Sequence, residues 1–317
     1  MKAVDLPMEQ KPRALVLAGP TASGKTALSI QVAKALNCEI VCMDSMQIYR
    51  GMDIGTGKLP DGERLVPHHG FDLVDPGEPY SAALFQEYAR SCFAKIQERG
   101  NTPVLCGGTG FYVRTAIDDY RFPEGEQVGN AIRDKYNEFA RVNGPQALWD
   151  LLNERDSESA QIIPPADTKR VVRAFELLHD GTSYAQQKAK LASILQKIPA
   201  RFIGLQVDPD ILRERIDRRV DAMFDGGFID EVRALLDKGF RDGITAPQAI
   251  GYKEVVAALD GQISMDEARE KMKVATHRYA KRQRTWFRKD KRIMWLDADS
   301  GNTDALAQQA LAWLATT

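Results

Sequence analysis

RALVLAGPTASGKTALSIQVAKAL, residues 13–36, decides the fold: a short apolar run ends in glycine, a Gly/Ser/Thr turn follows, and a helical pattern opens at once. Strand, loop and helix in that order make the first unit of a parallel α/β sheet. The turn, Gly19-Pro20-Thr21-Ala22-Ser23-Gly24-Lys25-Thr26, matches G-x-x-x-x-G-K-[ST] in full and in the required setting. Gly19 and Gly24 permit backbone angles closed to other residues, so successive amide N–H groups can face an anion at the positive end of the helix. Lys25 adds a point charge, and the Thr26 hydroxyl stands where Mg²⁺ would sit. The loop therefore predicts a bound diphosphate or triphosphate.

Working outward, CEIVCMD (38–44) reads as a second strand ending in an acid, Asp44. Residues 81–100 read as a helix with Ser81 at its N-cap and Gly100 past its end. TPVLCGGTG (102–110) is a third strand running into a second glycine turn, and RFIGLQVD (201–208) and RIMWLDAD (292–299) supply two more. Between them, residues 118–199 are charged, helical in period and poor in β-branched runs. The expected organisation is a discontinuous P-loop NTPase-like core, 1–117 and 200–317, with a parallel sheet flanked by helices, interrupted by an all-helical insertion at 118–199. A nucleotide hydrolase adds an Asp at the end of a neighbouring strand. Here the third strand ends in Cys106, Gly107 and Gly108, which argues against motor ATPases, and the absence of NKxD argues against GTPases.

The chain has 317 residues, 44% of them hydrophobic, with 43 Lys plus Arg against 44 Asp plus Glu. A net charge of −1 predicts no general affinity for polyanions, so any nucleic-acid surface must come from segregated charge. Such segregation is present: residues 269–292 hold eleven Lys or Arg against Glu270 and Asp290, a local +9. Arg278, Lys281, Arg282, Thr285, Arg288 and Lys289 recur at three- and four-residue steps on one side of a helix, with Tyr279, Gln283, Trp286 and Phe287 at another angle and the aromatics expected on the core. A solvated face is the ordinary alternative for such a run. Lys169, Arg170 and Arg173 form a smaller basic cluster in the insertion. Cys38, Cys42, Cys92 and Cys106 lack zinc spacing and read as reduced thiols, and the stretch MKAVDLPMEQKPR shows no leader, so a cytoplasmic protein is expected. The adjacent His68 and His69 read as loop residues.

Six ordered motifs, GPTASGKT, DSMQIYRGMDIGTGK (44–58), GGTGFY (107–112), DTKRVVRA (167–174), QAIGYKE (248–254) and RYAKRQRTWFR (278–288), resemble the tRNA dimethylallyltransferases, also called tRNA isopentenyltransferases. The resemblance implies transfer of a dimethylallyl group from dimethylallyl diphosphate to the exocyclic amine of the adenosine 3′ to the anticodon, by a bacterial-type, monomeric enzyme using Mg²⁺. It implies that the 19–26 loop holds the donor diphosphate, that Arg219 in RERIDRRV is a second diphosphate-binding cation, and that Asp44 is the general base, at the end of a strand adjacent to the loop's own. Taken alone, Asp44 could equally ligate a metal or cap a helix, and Arg219 could be a solvated charge. By the same resemblance Ser45, Met46, Gln47, Thr109, Lys169, Arg170, Arg173, Gln248, Gly251, Tyr252, Lys253, Arg278, Lys281, Arg282 and Arg284 contact tRNA, with the Gln47 amide able to meet an adenine edge. An adenylate isopentenyltransferase acting on free AMP, ADP or ATP, and a P-loop small-molecule kinase, remain the alternatives. The former would need neither the insertion nor the basic helix.

Overall fold

The computed structural model describes residues 12–122, 131–192 and 194–316. The N-terminal stretch read above for a leader lies mostly outside them. The chain divides into two compact units, Met1–Asp118 with Lys197–Thr317, and Asp119–Gln196.

In the first unit, β1 (Ala14–Ala18) is buried along its whole length and is followed by α1 (Lys25–Leu36), β2 (Cys38–Cys42), β3 (His68–His69), α2 (Ala82–Glu98), β4 (Thr102–Gly107) and α3 (Gly110–Ile117). The sheet is parallel, in the order β3-β2-β4-β1 and then, after the second unit, β5 (Ala200–Gln206) and β6 (Ile293–Asp297). Continuous apolar runs suit strands covered on both faces. Leu15, Leu17, Ile40, Val104 and Ile203 join one core with Leu28 and Val32 of α1, while Val16, Val41, Leu105 and Phe202 face Phe85 and Phe93 of α2. This alternation is the period of two expected of strands.

Two sequence expectations change. His68 and His69 form β3 rather than a loop, paired with Ile40 and Val41, and His69 Nε2 lies 2.7 Å from the buried Glu39 carboxylate. The strand that ends at Asp44 is not beside β1, because β4 lies between them. Strand order depends on which crossover returns where, and local pattern does not carry that.

Helices α8 (Pro209–Asp225), α9 (Phe228–Leu236), α10 (Tyr252–Leu259), α11 (Met265–Phe287) and α12 (Thr303–Ala315) complete this unit. Asp208 caps α8 by accepting from Asp210 N–H at 2.9 Å, with Pro209 in the first turn. Ser264 and Glu267 form a reciprocal capping box that starts α11.

The second unit holds α4 (Ala131–Arg155), α5 (Ser157–Ile162), α6 (Thr168–His179) and α7 (Tyr184–Ala192). Gly144, at φ 88°, and Pro145 break α4 into two helical pieces. Its core includes Tyr136 stacked on Phe175 at 3.9 Å, and Leu148 and Leu152. No helix among the described residues is long and apolar enough to cross a membrane.

Candidate active site

The glycine-rich loop turns into α1 at Gly24, whose φ of 91° is left-handed. A Cβ there would meet nothing within 4 Å, so the angle rather than space demands glycine. Lys25 Nζ folds back to donate to Pro20 O at 2.6 Å. Burial pulls its pKa from 10.5 down to about 8, with Arg219 pushing the same way and Cys106 and Asp44 opposing. A recess above the loop is lined by residues 22–27 together with Arg215, Arg218 and Arg219. The Ser23 hydroxyl is buried in it with no partner.

Beside this recess lies a cavity of about 280 Å³, lined on its polar side by Thr21, Asp44, Thr56, Arg219 and Arg282 and on its apolar side by Ile216, Val220, Met223 and Met272. Asp44 Oδ1 accepts from Met46 N–H at 2.9 Å, a turn that holds the carboxylate at the strand end. Arg219 lines both spaces. Its guanidinium donates to Thr56 O at 3.0 Å, and burial lowers its pKa while Asp44 raises it. It is therefore no solvated helix charge. Gly57, at φ 63°, gives it room, since a Cβ there would come within 2.0 Å of Nη2.

The segment 44–58 forms the cavity wall, and its polar groups are engaged within the protein. Gln47 Nε2 donates to Thr56 O at 3.1 Å and Gly57 O at 3.3 Å, and its Oε1 accepts from Cys42 Sγ at 3.1 Å. The amide expected to meet an adenine edge thus has protein partners here. Lys58, 7% exposed, donates to Tyr49 O, Asp53 Oδ1 and Asp72 Oδ1. Glu231 of α9 accepts from the N–H groups of Asp53, Ile54 and Gly55 at 3.0, 2.6 and 3.1 Å, and from the Tyr252 hydroxyl at 2.6 Å. Tyr252, fully buried, lines the cavity and supports its wall through this hydroxyl, and Gly251 beside it is buried too. Gln248 is exposed on the cavity rim. Lys253 is exposed, 3.6 Å from Glu254.

Helix α11 ties these loops together. Gln283, 5% exposed, accepts from Thr21 N–H at 2.9 Å and donates to Gly108 O at 2.9 Å, joining the phosphate loop to the second glycine turn. Thr109 Oγ1 in that turn accepts from Ser45 N–H at 3.2 Å. One turn back on the helix, Tyr279 lines the cavity, and burial followed by the nearby Asp44 raises its phenol pKa. Ser45 and Met46 line the same cavity.

The basic run is divided. Arg269 and Lys273 pair with Asp221 and Asp225 of α8, and Arg292 pairs with Asp118 and Asp290, so part of the local +9 is neutralised. Arg278, Lys281, Arg282, Arg288 and Lys289 are exposed and Arg284 half-buried. The aromatics do not all face the core, for Phe287 is buried but Trp286 is 42% exposed. In the second unit, Lys169 and Arg170 are exposed on α6, with Arg170 paired to Asp167 at 2.9 Å. Arg173 turns to the buried Glu176 at 2.7 Å, which removes it from the expected basic surface.

Glu231 and the supporting roles of Lys58 and Gln283 were not foreseen from sequence. Gln283 left one signal, a lone uncharged amide inside KRQR. Among the described residues no group of three or more His, Cys, Asp or Glu could hold a metal. The exposed Thr26 hydroxyl and open recess suit Mg²⁺ that arrives with a ligand's phosphates and keeps several waters.

A glycine-rich loop of the phosphate-binding pattern on a parallel sheet, opening beside a carboxylate-bearing cavity and sharing an arginine with it, defines a P-loop NTPase-like protein. A family model described as "IPP transferase" matches residues 47–290, and one described as "Isopentenyl transferase" matches 12–65. The chain belongs to the IPP transferase family. It is 41% identical over 303 residues to tRNA dimethylallyltransferase 2 of Syntrophus aciditrophicus, covering 95% of this chain and 96% of that protein. To the tRNA dimethylallyltransferase of Bacillus subtilis it is 44% identical over 284 residues, 89% and 90% of the two chains. The crystal structure of the tRNA isopentenylpyrophosphate transferase from Bacillus halodurans superposes with a TM-score of 0.70 at 40% identity, over 96% of both chains. A eukaryotic dimethylallyltransferase acting on tRNA gives 0.79 at 29% identity, over 95% of this chain and 78% of that one.

Proposed function

We propose that this chain transfers a dimethylallyl group from dimethylallyl diphosphate to the exocyclic amine of the adenosine 3′ to the anticodon in tRNA, releasing diphosphate. The observation that carries the reading is Arg219, which lines both the phosphate recess and the Asp44 cavity, so one cation borders the leaving group and the acceptor at once. The amine nitrogen forms a bond to the donor's first carbon as that carbon's bond to the diphosphate oxygen breaks. The proton lost from nitrogen goes to the Asp44 carboxylate, an effect worth roughly 10²- to 10⁴-fold in rate. Charge growing on the leaving oxygen is met by the loop amides, with Lys25 and Arg219 exchanging their present partners, Pro20 O and Thr56 O, for the diphosphate. The Thr26 hydroxyl would hold Mg²⁺, which when bound would help neutralise the charge on the diphosphate.

The acceptor base is splayed from a single-stranded loop, as RNA recognition by proteins commonly requires. Exposed Arg278, Lys281 and Arg282 of α11 meet its phosphates, and Lys169 and Arg170 of the helical unit supply a second contact. The reading carries with it a cytoplasmic, monomeric enzyme. Labelled dimethylallyl diphosphate offered in parallel with unmodified tRNA, AMP and ATP tests it. Label is expected on tRNA alone. Label on AMP alone leaves an adenylate prenyltransferase, and ATP consumed without RNA leaves a kinase.

A further inference from the structure

Trp286 stands 42% exposed on the most basic stretch of the chain. Its ring is well supported. The pyrrole edge lies over Gly110 so closely that a Cβ there would come within 2.1 Å of Cδ1 and 2.2 Å of Nε1. Gly110 is the first residue of α3, next to Thr109, so a glycine in the second glycine turn is what lets the indole rest on backbone. Exposed Arg282 stands one helical turn before it, its guanidinium 5.7 Å from the Tyr279 ring, and exposed Lys289 follows just past the end of the helix. Arg282 also lines the Asp44 cavity. Trp286 therefore stands one helical turn along α11 from a residue that lines the cavity.

An exposed aromatic ring backed by main chain on a basic helix has the chemistry of a base-stacking surface, because every nucleobase has a π-face and its own phosphate seeks nearby positive charge. An apolar protein partner would instead ask for a contiguous apolar patch, whereas Trp286 is the exposed large hydrophobic of residues 278–289. We propose that Trp286 is the stacking platform for the nucleobase adjoining the reacting adenosine. This rests on the tRNA reading above and adds a second base subsite to it.

The test measures affinity of the full chain for an unmodified anticodon stem-loop RNA, and for two RNAs carrying one abasic nucleotide on either side of the target adenosine. Trp286→Leu is expected to weaken binding about tenfold, with the salt dependence unchanged because no phosphate contact is lost. Trp286→Phe, which keeps a π-face, stays within about threefold. One of the abasic RNAs costs the unaltered protein the same factor and costs Trp286→Leu nothing more, the signature of a direct contact in a double-mutant cycle. Gly110→Ala, which displaces the indole, copies the Leu variant. The abasic comparison on the unaltered protein needs no variant to fold, and full affinity for both abasic RNAs overturns the proposal. Additive effects of Trp286→Leu and the abasic site overturn it too, while leaving tRNA prenylation standing. Unaltered protein that binds no RNA brings down both.

Discussion

Two glycine-bearing loops border the same cavity and use their polar groups in opposite ways. The loop at 19–26 leaves Ser23 Oγ without a partner, holds Lys25 with burial pulling down its pKa, and opens onto a recess with three arginines. The loop at 44–58 has Gln47, Lys58 and three successive backbone N–H groups all engaged within the protein. One is a receptor whose unmet hydrogen-bonding capacity awaits a ligand, and the other is a wall. Motif matching treats both as binding loops, whereas the hydrogen-bond inventory separates them.

Asp44 stands at the junction and gives the largest expected effect. Asp44→Asn keeps the size and the acceptor for Met46 N–H but cannot take a proton. Turnover is expected to fall roughly 10²- to 10⁴-fold, with donor KM and RNA affinity nearly unchanged. Single-turnover label transfer checks this. Normal turnover would move the base elsewhere.

Next comes the receptor loop's charge. Lys25→Ala removes a charge-assisted contact worth about 1.5–3 kcal/mol, so donor KM is expected to rise about 10- to 100-fold with little change in melting temperature. The pH dependence has a defined sign. Lys25 is cationic below about 8, so kcat/KM for the donor falls as pH rises from 7 to 9. Lys25→Arg, cationic throughout, flattens that fall, and a profile that is identical in the two proteins would assign it to another group.

The wall responds through stability before catalysis. Glu231→Ala orphans three backbone N–H groups and the Tyr252 hydroxyl. Solvent reaches part of this site, so the cost is about 3–4 kcal/mol, read as a melting temperature lowered by roughly 10 °C. An unchanged melting temperature would erase the distinction between the loops.

How far each loop was legible follows from where its partners lie. The strand, the turn and Gly24 at the start of α1 are properties of neighbouring residues, and they read directly. The basic face of α11 was equally visible in its spacing. The partners of Gln47, Thr56 and Gly57, were not foreseen because they fold back over it, a return that no periodicity announces. The supporting role of Gln283 was not foreseen because Thr21 is 262 positions away, and that of Tyr252 because a motif position does not announce burial. Strand order failed for the same reason, since inserting β4 between β1 and β2 is a choice of tertiary path.

Tyr252→Phe gives the smallest effect and the sharpest cut. It deletes one hydroxyl that donates to Glu231 and leaves the ring packed edge-on against Phe228 at 5.0 Å. Glu231 keeps its three backbone donors, so the loss is that of a single hydrogen bond to a charged acceptor, about 1.5 kcal/mol, or roughly 3–6 °C in melting temperature. The ring stays buried in the cavity wall and the lost hydroxyl points to Glu231, so the affinity for an anticodon stem-loop is expected to stay within about twofold. A tenfold loss of RNA affinity at unchanged melting temperature would return Tyr252 to the RNA surface, and with it the reading of the 44–58 segment as a binding loop instead of a wall.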